Sequence, residues 1–384
     1  MRIVIAPDSY KGSLSAVAVT AAVERGLLSV FPAAEIHKVP IADGGEGTVE
    51  ALTAATGGQI LRETVTGPLG DPVDAFWGIL GDGATAVIEM AAASGLTLVP
   101  ESQRDPRFTT TYGTGQLIKA ALDRGLRNII IGIGGSATND GGAGMLQALG
   151  AAFLDTADKY LPQGGGALAQ LAAIELSGLD RRLAETVIQV ACDVDNPLCG
   201  PKGASAVYGP QKGATPEMVA QLDNALEKYA EIAQTVTGKS VSACPGAGAA
   251  GGLGAGLLFF TNAQLKPGVE IILETTGFTA IVKNADLVIT GEGRTDYQTA
   301  FGKAPVGVAK IAQLHQVPVI CLSGGLGKGH EAVLDQGIDS LMSIVPQPMA
   351  LEECVLSAAM LVEQAAARLG RILRIGMTMQ NRLQ

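Results

Sequence analysis

Charged side chains able to handle a small anion gather in four glycine-bearing segments, each directly after a short apolar run. The segments are Asp8-Ser9-Tyr10-Lys11-Gly12-Ser13, Ala42-Asp43-Gly44-Gly45-Glu46-Gly47-Thr48, Gly134-Gly135-Ser136-Ala137-Thr138-Asn139-Asp140-Gly141-Gly142 and Gly291-Glu292-Gly293-Arg294-Thr295-Asp296. Arginine offers a planar fork for carboxylate or phosphate, and aspartate can accept a hydroxyl proton. Arg294 and Lys11 are therefore the candidate cations for a substrate carboxylate, although Asp8, Ser13 and Ser15 can equally serve as helix caps. Asp296 is the candidate base with Asp8 as its alternative, and Ser9, Glu292 and Gln298 are candidate substrate contacts beside them.

The third segment suits a backbone nest for phosphate, with Gly134, Gly135 and Gly141 exposing amides and Ser136, Thr138, Asn139 and Asp140 adding polar side chains. Tight helix-sheet packing is the alternative use of the same glycines. On the phosphate reading, valine at Gly135 or Gly141 harms nucleotide binding more than folding. Lys212, in Gly209-Pro210-Gln211-Lys212-Gly213, either brings a further cation to the phosphates or lies in a simple loop. Gly246–Gly256 either covers phosphates or packs closely as a small-residue helix.

Asp43 and Asp193 are the candidate carboxylates near Mg²⁺, which commonly takes one or two carboxylates beside substrate phosphates. Asp195 is weaker, because a turn before Pro197 can occupy its side chain. No Walker P-loop, no Ser-His or Cys-His nucleophile and no dinucleotide-binding G-x-G-x-x-G after the first strand accompanies these groups. Cations, paired acids and amide-rich loops together favour phosphoryl transfer, where positioning and charge neutralisation do most of the work. A dehydrogenase lacks its fingerprint here, and a non-catalytic binding protein has no need of the paired acids.

The elements around these segments alternate. Residues 2–6 and Ile36–Ile41 read as strands with helices after them, and the alternation resumes from strand Leu287–Thr290 through Val317–Leu322 and Leu341–Val345 to a long helix from Leu351 to about Leu373. Such alternation indicates parallel βαβ units. Between them, Leu61–Val65, Val73–Ile79 and Ala86–Met90 are separated by short Gly67-Pro68 and Gly81-Asp82-Gly83 turns, an antiparallel signal. The expectation is an α/β protein with a doubly wound parallel-sheet domain from residues 1–60 and 265–384. A mixed α/β domain over 61–264 is inserted into it, and substrates bind in the cleft between the two.

Composition narrows the class. A chain of 384 residues exceeds one ordinary core, and 47% hydrophobic residues exclude a disordered one. A formal charge of -10 with 4% aromatic residues argues against a nucleic-acid surface. The start lacks a leader-like apolar stretch and no run suffices to span a bilayer, so a cytoplasmic protein without a membrane partner is expected. The five cysteines form no CxxC, as suits reduced thiols.

At these same residues the chain resembles the type 1 bacterial glycerate kinase family, the glycerate 2-kinases. The resemblance rests on Ala6–Ser15, Ala42–Thr48, Glu89–Leu96, Gly132–Met145, Gly209–Gly213, Pro245–Gly254 and Ile289–Lys303, in order and nearly end to end. It implies ATP- and Mg²⁺-dependent phosphorylation of D-glycerate to 2-phosphoglycerate, with a glycerate 3-kinase or a kinase of another small hydroxy acid as alternatives. It further implies a flavodoxin-like domain from both chain ends and an inserted domain likened to the restriction-enzyme fold. The expected partners are small molecules, and the expected state is a monomer or homodimer.

Overall fold

The computed structural model describes residues 1–383. Its strands are, in chain order, β1 (Arg2–Pro7), β2 (Glu35–Lys38), β3 (Gln59–Thr66), β4 (Pro72–Ile79), β5 (Thr85–Glu89), β6 (Asn128–Gly132), β7 (Ala152–Leu154), β8 (Ala173–Glu175), β9 (Val187–Ala191), β10 (Gln264–Lys266), β11 (Leu287–Thr295), β12 (Val319–Leu326) and β13 (Ser340–Ser343). Two compact units divide the chain: a terminal unit of Met1–Asp43, Glu50–Thr56 and Val269–Gln384, and an inserted unit of Gly44–Val49 and Gly57–Gly268.

The terminal unit holds a five-stranded sheet in the order β13-β12-β11-β1-β2, every neighbour parallel. Renumbered within the unit this is the 2-1-3-4-5 order of flavodoxin-like folds, the doubly wound class expected from the alternation of elements. β1 lies between β11 and β2 and is buried along Ile3-Val4-Ile5-Ala6, which explains an unbroken apolar run rather than an alternating one. Val19, Val23 and Leu27 from helix Ala16–Leu28 share its core with Leu361, Val362 and Ala365 from the C-terminal helix. Those two helices pack so closely that a β-carbon on Gly26 would lie 2.2 Å from the Glu363 carbonyl.

Two expectations change here. The polar segment after β11 is not a loop, because the strand runs on to Thr295 and pairs with β12 as far as Thr295↔Leu326. A β-carbon on Gly291 would meet the Leu322 carbonyl at 1.9 Å, so glycine at this point is what lets the two strands continue together. The long C-terminal helix is likewise two, Leu351–Leu356 and Ala358–Leu383, parted where the Ser357 backbone closes the first by bonding back to the Glu353 carbonyl.

The inserted unit is built on a six-stranded mixed sheet, order β10-β9-β6-β5-β4-β3. β3, β4 and β5 are antiparallel neighbours, and β5, β6, β9 and β10 run parallel. The Gly81-Asp82-Gly83 turn is pinned by the Asp82 carboxylate, which accepts from the Ala84 and Thr85 amides at 2.9 and 3.0 Å. One core joins Trp77, Ile88, Leu117, Ile131, Leu146, Leu226, Tyr229 and Phe259. Gly44–Val49 groups with this unit for a visible reason: Gly44 accepts the Gly134 N–H at 3.4 Å, and a β-carbon on Gly134 would sit 2.9 Å from Gly45 Cα.

Candidate active site

In the terminal unit the parallel sheet ends in a cluster of carboxylates. Asp8 follows β1, is 8% exposed, and accepts the Ser9 N–H at 2.6 Å. Burial first and the Asp43 charge second lift its carboxyl to about 7, against the Ser9 amide and the Lys11 ammonium. Lys11 Nζ pairs with Asp43 Oδ2 at 2.5 Å, so the lysine serves a carboxylate as well as facing solvent.

Glu292 lies one strand over and is buried. Its Oε1 accepts from the Thr299 hydroxyl at 2.6 Å and from Thr295 at 3.3 Å, and burial holds its carboxyl above the usual range. Thr295 is tied in turn to Ser323 at 2.7 Å. Glu292 is thus tied through this oxygen to the end of the strand. Arg294 is the opposite case, with a side chain 71% exposed and Nε 3.7 Å from Asp296 Oδ2. Asp296 Oδ1 accepts the Gln298 N–H at 2.9 Å, an Asx turn that occupies one of its oxygens, while Gln298 itself is exposed.

In the inserted unit the segment after β6 is a buried, internally bonded loop. Asp140 is fully buried. Its Oδ2 accepts from the Thr111 amide at 2.8 Å, the Thr111 hydroxyl at 2.9 Å and the Gly144 amide at 3.2 Å, and its Oδ1 from Gly142 at 3.1 Å. The Asp140 carboxylate thus staples the loop to Thr111. Burial still pushes its pKa up despite those donors.

Lys212 is also inside, 2% exposed, donating to Ser136 Oγ at 2.7 Å and to the Thr138 carbonyl at 2.6 Å. Burial drives its pKa down to about 7, with the Asp140 charge opposing. Asn139 donates to Ser205 Oγ at 2.9 Å, but its Oδ1 and the Thr138 hydroxyl are buried without a partner among the described residues.

The loop's glycines divide by role. Gly134 lies against Gly45, and Gly141, at φ +63°, faces the Tyr229 ring, where a β-carbon would stand 2.7 Å from Cε1. Gly135, at φ +74°, has only the Ala91 β-carbon at 3.5 Å and is open to an approaching group. Behind the loop, Ala250, Gly251 and Gly252 all take positive φ, and the Gly251 carbonyl accepts the Gly141 N–H at 3.0 Å. The glycine-rich segment 246–256 therefore packs closely against the loop.

Thr109, Thr111, Ser205 and Tyr229 were missed from sequence. Thr109 donates to the Ala137 carbonyl at 2.9 Å and Tyr229 to the Gly141 carbonyl at 3.0 Å. The hydroxyl run Thr109-Thr110-Thr111 was the available signal, being too polar for an ordinary buried segment.

For a divalent cation, the fitting donors are Asp8 and Asp43, whose charges oppose each other and would be relieved by one. Asp193 is exposed in the inserted unit, with Oδ1 accepting the Gly268 N–H at 2.9 Å. Among the described residues no three His, Cys, Asp or Glu side chains assemble into a metal cage. Magnesium needs none, since it borrows phosphate oxygens and water.

The profile of the glycerate kinase family matches residues 3–374. The chain belongs to the glycerate kinase family. The matched span takes in every loop described above. The chain is 56% identical over 379 residues to the glycerate kinase of Bacillus subtilis strain 168, covering 99% of each. It is 52% identical over 377 residues to the glycerate 2-kinase of Escherichia coli K12, covering 98% of this chain and 99% of that one. Among solved structures, one from Salmonella typhimurium LT2, provisionally assigned as glycerate kinase 2, superposes with a TM-score of 0.91 at 52% identity, over 98% of this chain and 99% of that one.

Proposed function

We propose that the protein transfers the γ-phosphoryl group of ATP to D-glycerate, with 2-phosphoglycerate as product. The observation that carries this reading is identity of 52–56% along essentially the whole chain to proteins named glycerate kinase or glycerate 2-kinase. The terminal unit binds the hydroxy acid: Arg294 takes its carboxylate, with Ser9 and Gln298 beside it. Asp8 takes the proton of the neighbouring 2-hydroxyl as that oxygen attacks the γ-phosphorus and the bond to ADP breaks. Asp8 is preferred to Asp296 because its environment sets its carboxyl at about 7, near the pH of operation, whereas Asp296 shapes its own turn.

Lys11 neutralises charge beside Asp43. In the inserted unit the amides around Gly135, with Ser136 and Thr138, receive the phosphates, and Lys212 holds that loop from beneath. Magnesium, when bound, would neutralise charge on the nucleotide phosphates, and Asp43, beside the base Asp8, is the carboxylate that would hold it. Reduced thiols at all five cysteines agree with a cytoplasmic setting.

Incubation with ATP, Mg²⁺ and D-glycerate should release ADP, with the product isomer read by NMR. Release no faster than without glycerate rejects the reading, and 3-phosphoglycerate as product changes the acceptor oxygen. EDTA should abolish turnover and Mg²⁺ restore it; full activity in EDTA would remove the metal.

Arg294→Lys should raise the KM for glycerate about tenfold with kcat less affected, because a planar two-point contact becomes a point charge. An unchanged KM would take Arg294 out of the carboxylate site.

A further inference from the structure

Five buried side-chain polar atoms lack a hydrogen-bond partner among the described residues, and three of them, Arg104 Nε, Thr138 Oγ1 and Asn139 Oδ1, belong to the Ser136–Asp140 loop or to the segment braced against it. Native proteins leave few such atoms, so a concentration of them marks a place where a bound molecule completes the bonding. Arg104 opens the stretch that carries Thr109 and Thr111 to the loop. Its β-carbon and carbonyl lie 2.8 and 2.3 Å from where a β-carbon on Gly213 would be, the residue next to Lys212. Nearby charges are otherwise spent: Arg107 is held by Asp105 at 2.6 Å, Asp140 by the loop amides, and Lys212 by Ser136. Among the described residues the buried Arg104 Nε has no hydrogen-bond partner, a costly condition for a guanidinium nitrogen.

We propose that Arg104 is a phosphate-binding residue of the nucleotide site, adding a second cation to Lys212, which is itself spent on Ser136 and the Thr138 carbonyl. This rests on the reading of the loop as the ATP-phosphate site. A guanidinium meets a phosphate with two parallel N–H donors, so the orphaned Nε gains its acceptor only when the anion arrives.

The test measures ATP binding by calorimetry on the full chain, alongside thermal unfolding and steady-state kinetics, with inorganic triphosphate as a second probe. Arg104→Gln should weaken both ATP and triphosphate about tenfold or more and raise the KM for ATP, with the KM for glycerate and the melting temperature unchanged. Arg104→Lys should recover part of the loss. Arg104→Gln or Arg104→Lys with a native melt and wild-type affinity for both probes overturns the proposal, as does a loss of affinity that follows only a loss of fold. If ATP binds but triphosphate does not, in the unchanged protein, Arg104 is not reading phosphate. Absence of ATP binding by the unchanged protein instead defeats the underlying reading of the loop.

Discussion

Asp8→Asn is expected to make the protein more stable and much slower. Loss of a positioned base lowers kcat by about 10²–10⁴, while the KM for ATP should move little. Stability changes the other way for an electrostatic reason. The Asp8 carboxyl is raised from 3.8 to about 7, so between those values the folded state holds a proton that the unfolded chain releases. Stability from this group therefore falls as pH rises through that window, and the penalty is complete above about pH 7. Asparagine keeps the acceptor for the Ser9 amide and removes the buried charge, a gain of roughly 2–4 kcal/mol at pH 8 by linkage. In the wild type kcat should decline as pH drops below about 7. A variant with wild-type kcat would return the role to Asp296, and one that melts lower at pH 8 would show that Asp8 is not held at a cost.

The second large effect separates two neighbouring glycines. Gly141→Val places a branched side chain at φ +63° with a β-carbon 2.7 Å from the Tyr229 ring. Tyr229 cannot retreat, since it is fully buried and lies 6.2 Å, centroid to centroid, from both Phe153 and Phe259. Backbone strain and overpacking together should cost about 3 kcal/mol or more, read as a lower urea midpoint. Gly135→Val meets almost nothing in space and should cost only about 1–2 kcal/mol of backbone strain while strongly weakening ATP binding. Equal destabilisation by the two would contradict this division. The sequence alone treats both positions as phosphate contacts; only the fold shows that one of them faces an aromatic core.

That contrast shows what was legible in the chain. β1 and the β3–β5 meander were readable because their signals are local: an unbroken apolar run in one case, and turn residues between alternating strands in the other. The glycine- and charge-rich segments at strand ends were readable as candidate sites because glycine and charge there are costly unless used. The occupation of each side chain was not readable, because partners come from far away. Asp140 is stapled by Thr111, 29 residues off, and Lys212 reaches Ser136 across 76. The strand continuing through Glu292 and Arg294 was hidden by its glycines, which normally interrupt strands and here permit close pairing with β12.

The place of β1 between β11 and β2 has a consequence for the order of events at the ribosome. One of its hydrogen-bonded partners, β11, lies 284 residues away in sequence, and the helix Ala358–Leu383 that completes its core follows later still. Until β11 is made, the apolar stretch Ile3–Ala6 has only β2 to pair with. The inserted unit is complete by Gly268 and can close its own core in the meantime, converting an otherwise long and entropically expensive loop into a folded body. The aggregation hazard of this chain is therefore concentrated on β1 and lasts until β11 and the helix Ala358–Leu383 have emerged, so that a factor shielding nascent apolar segments would act most usefully on those six residues of sheet.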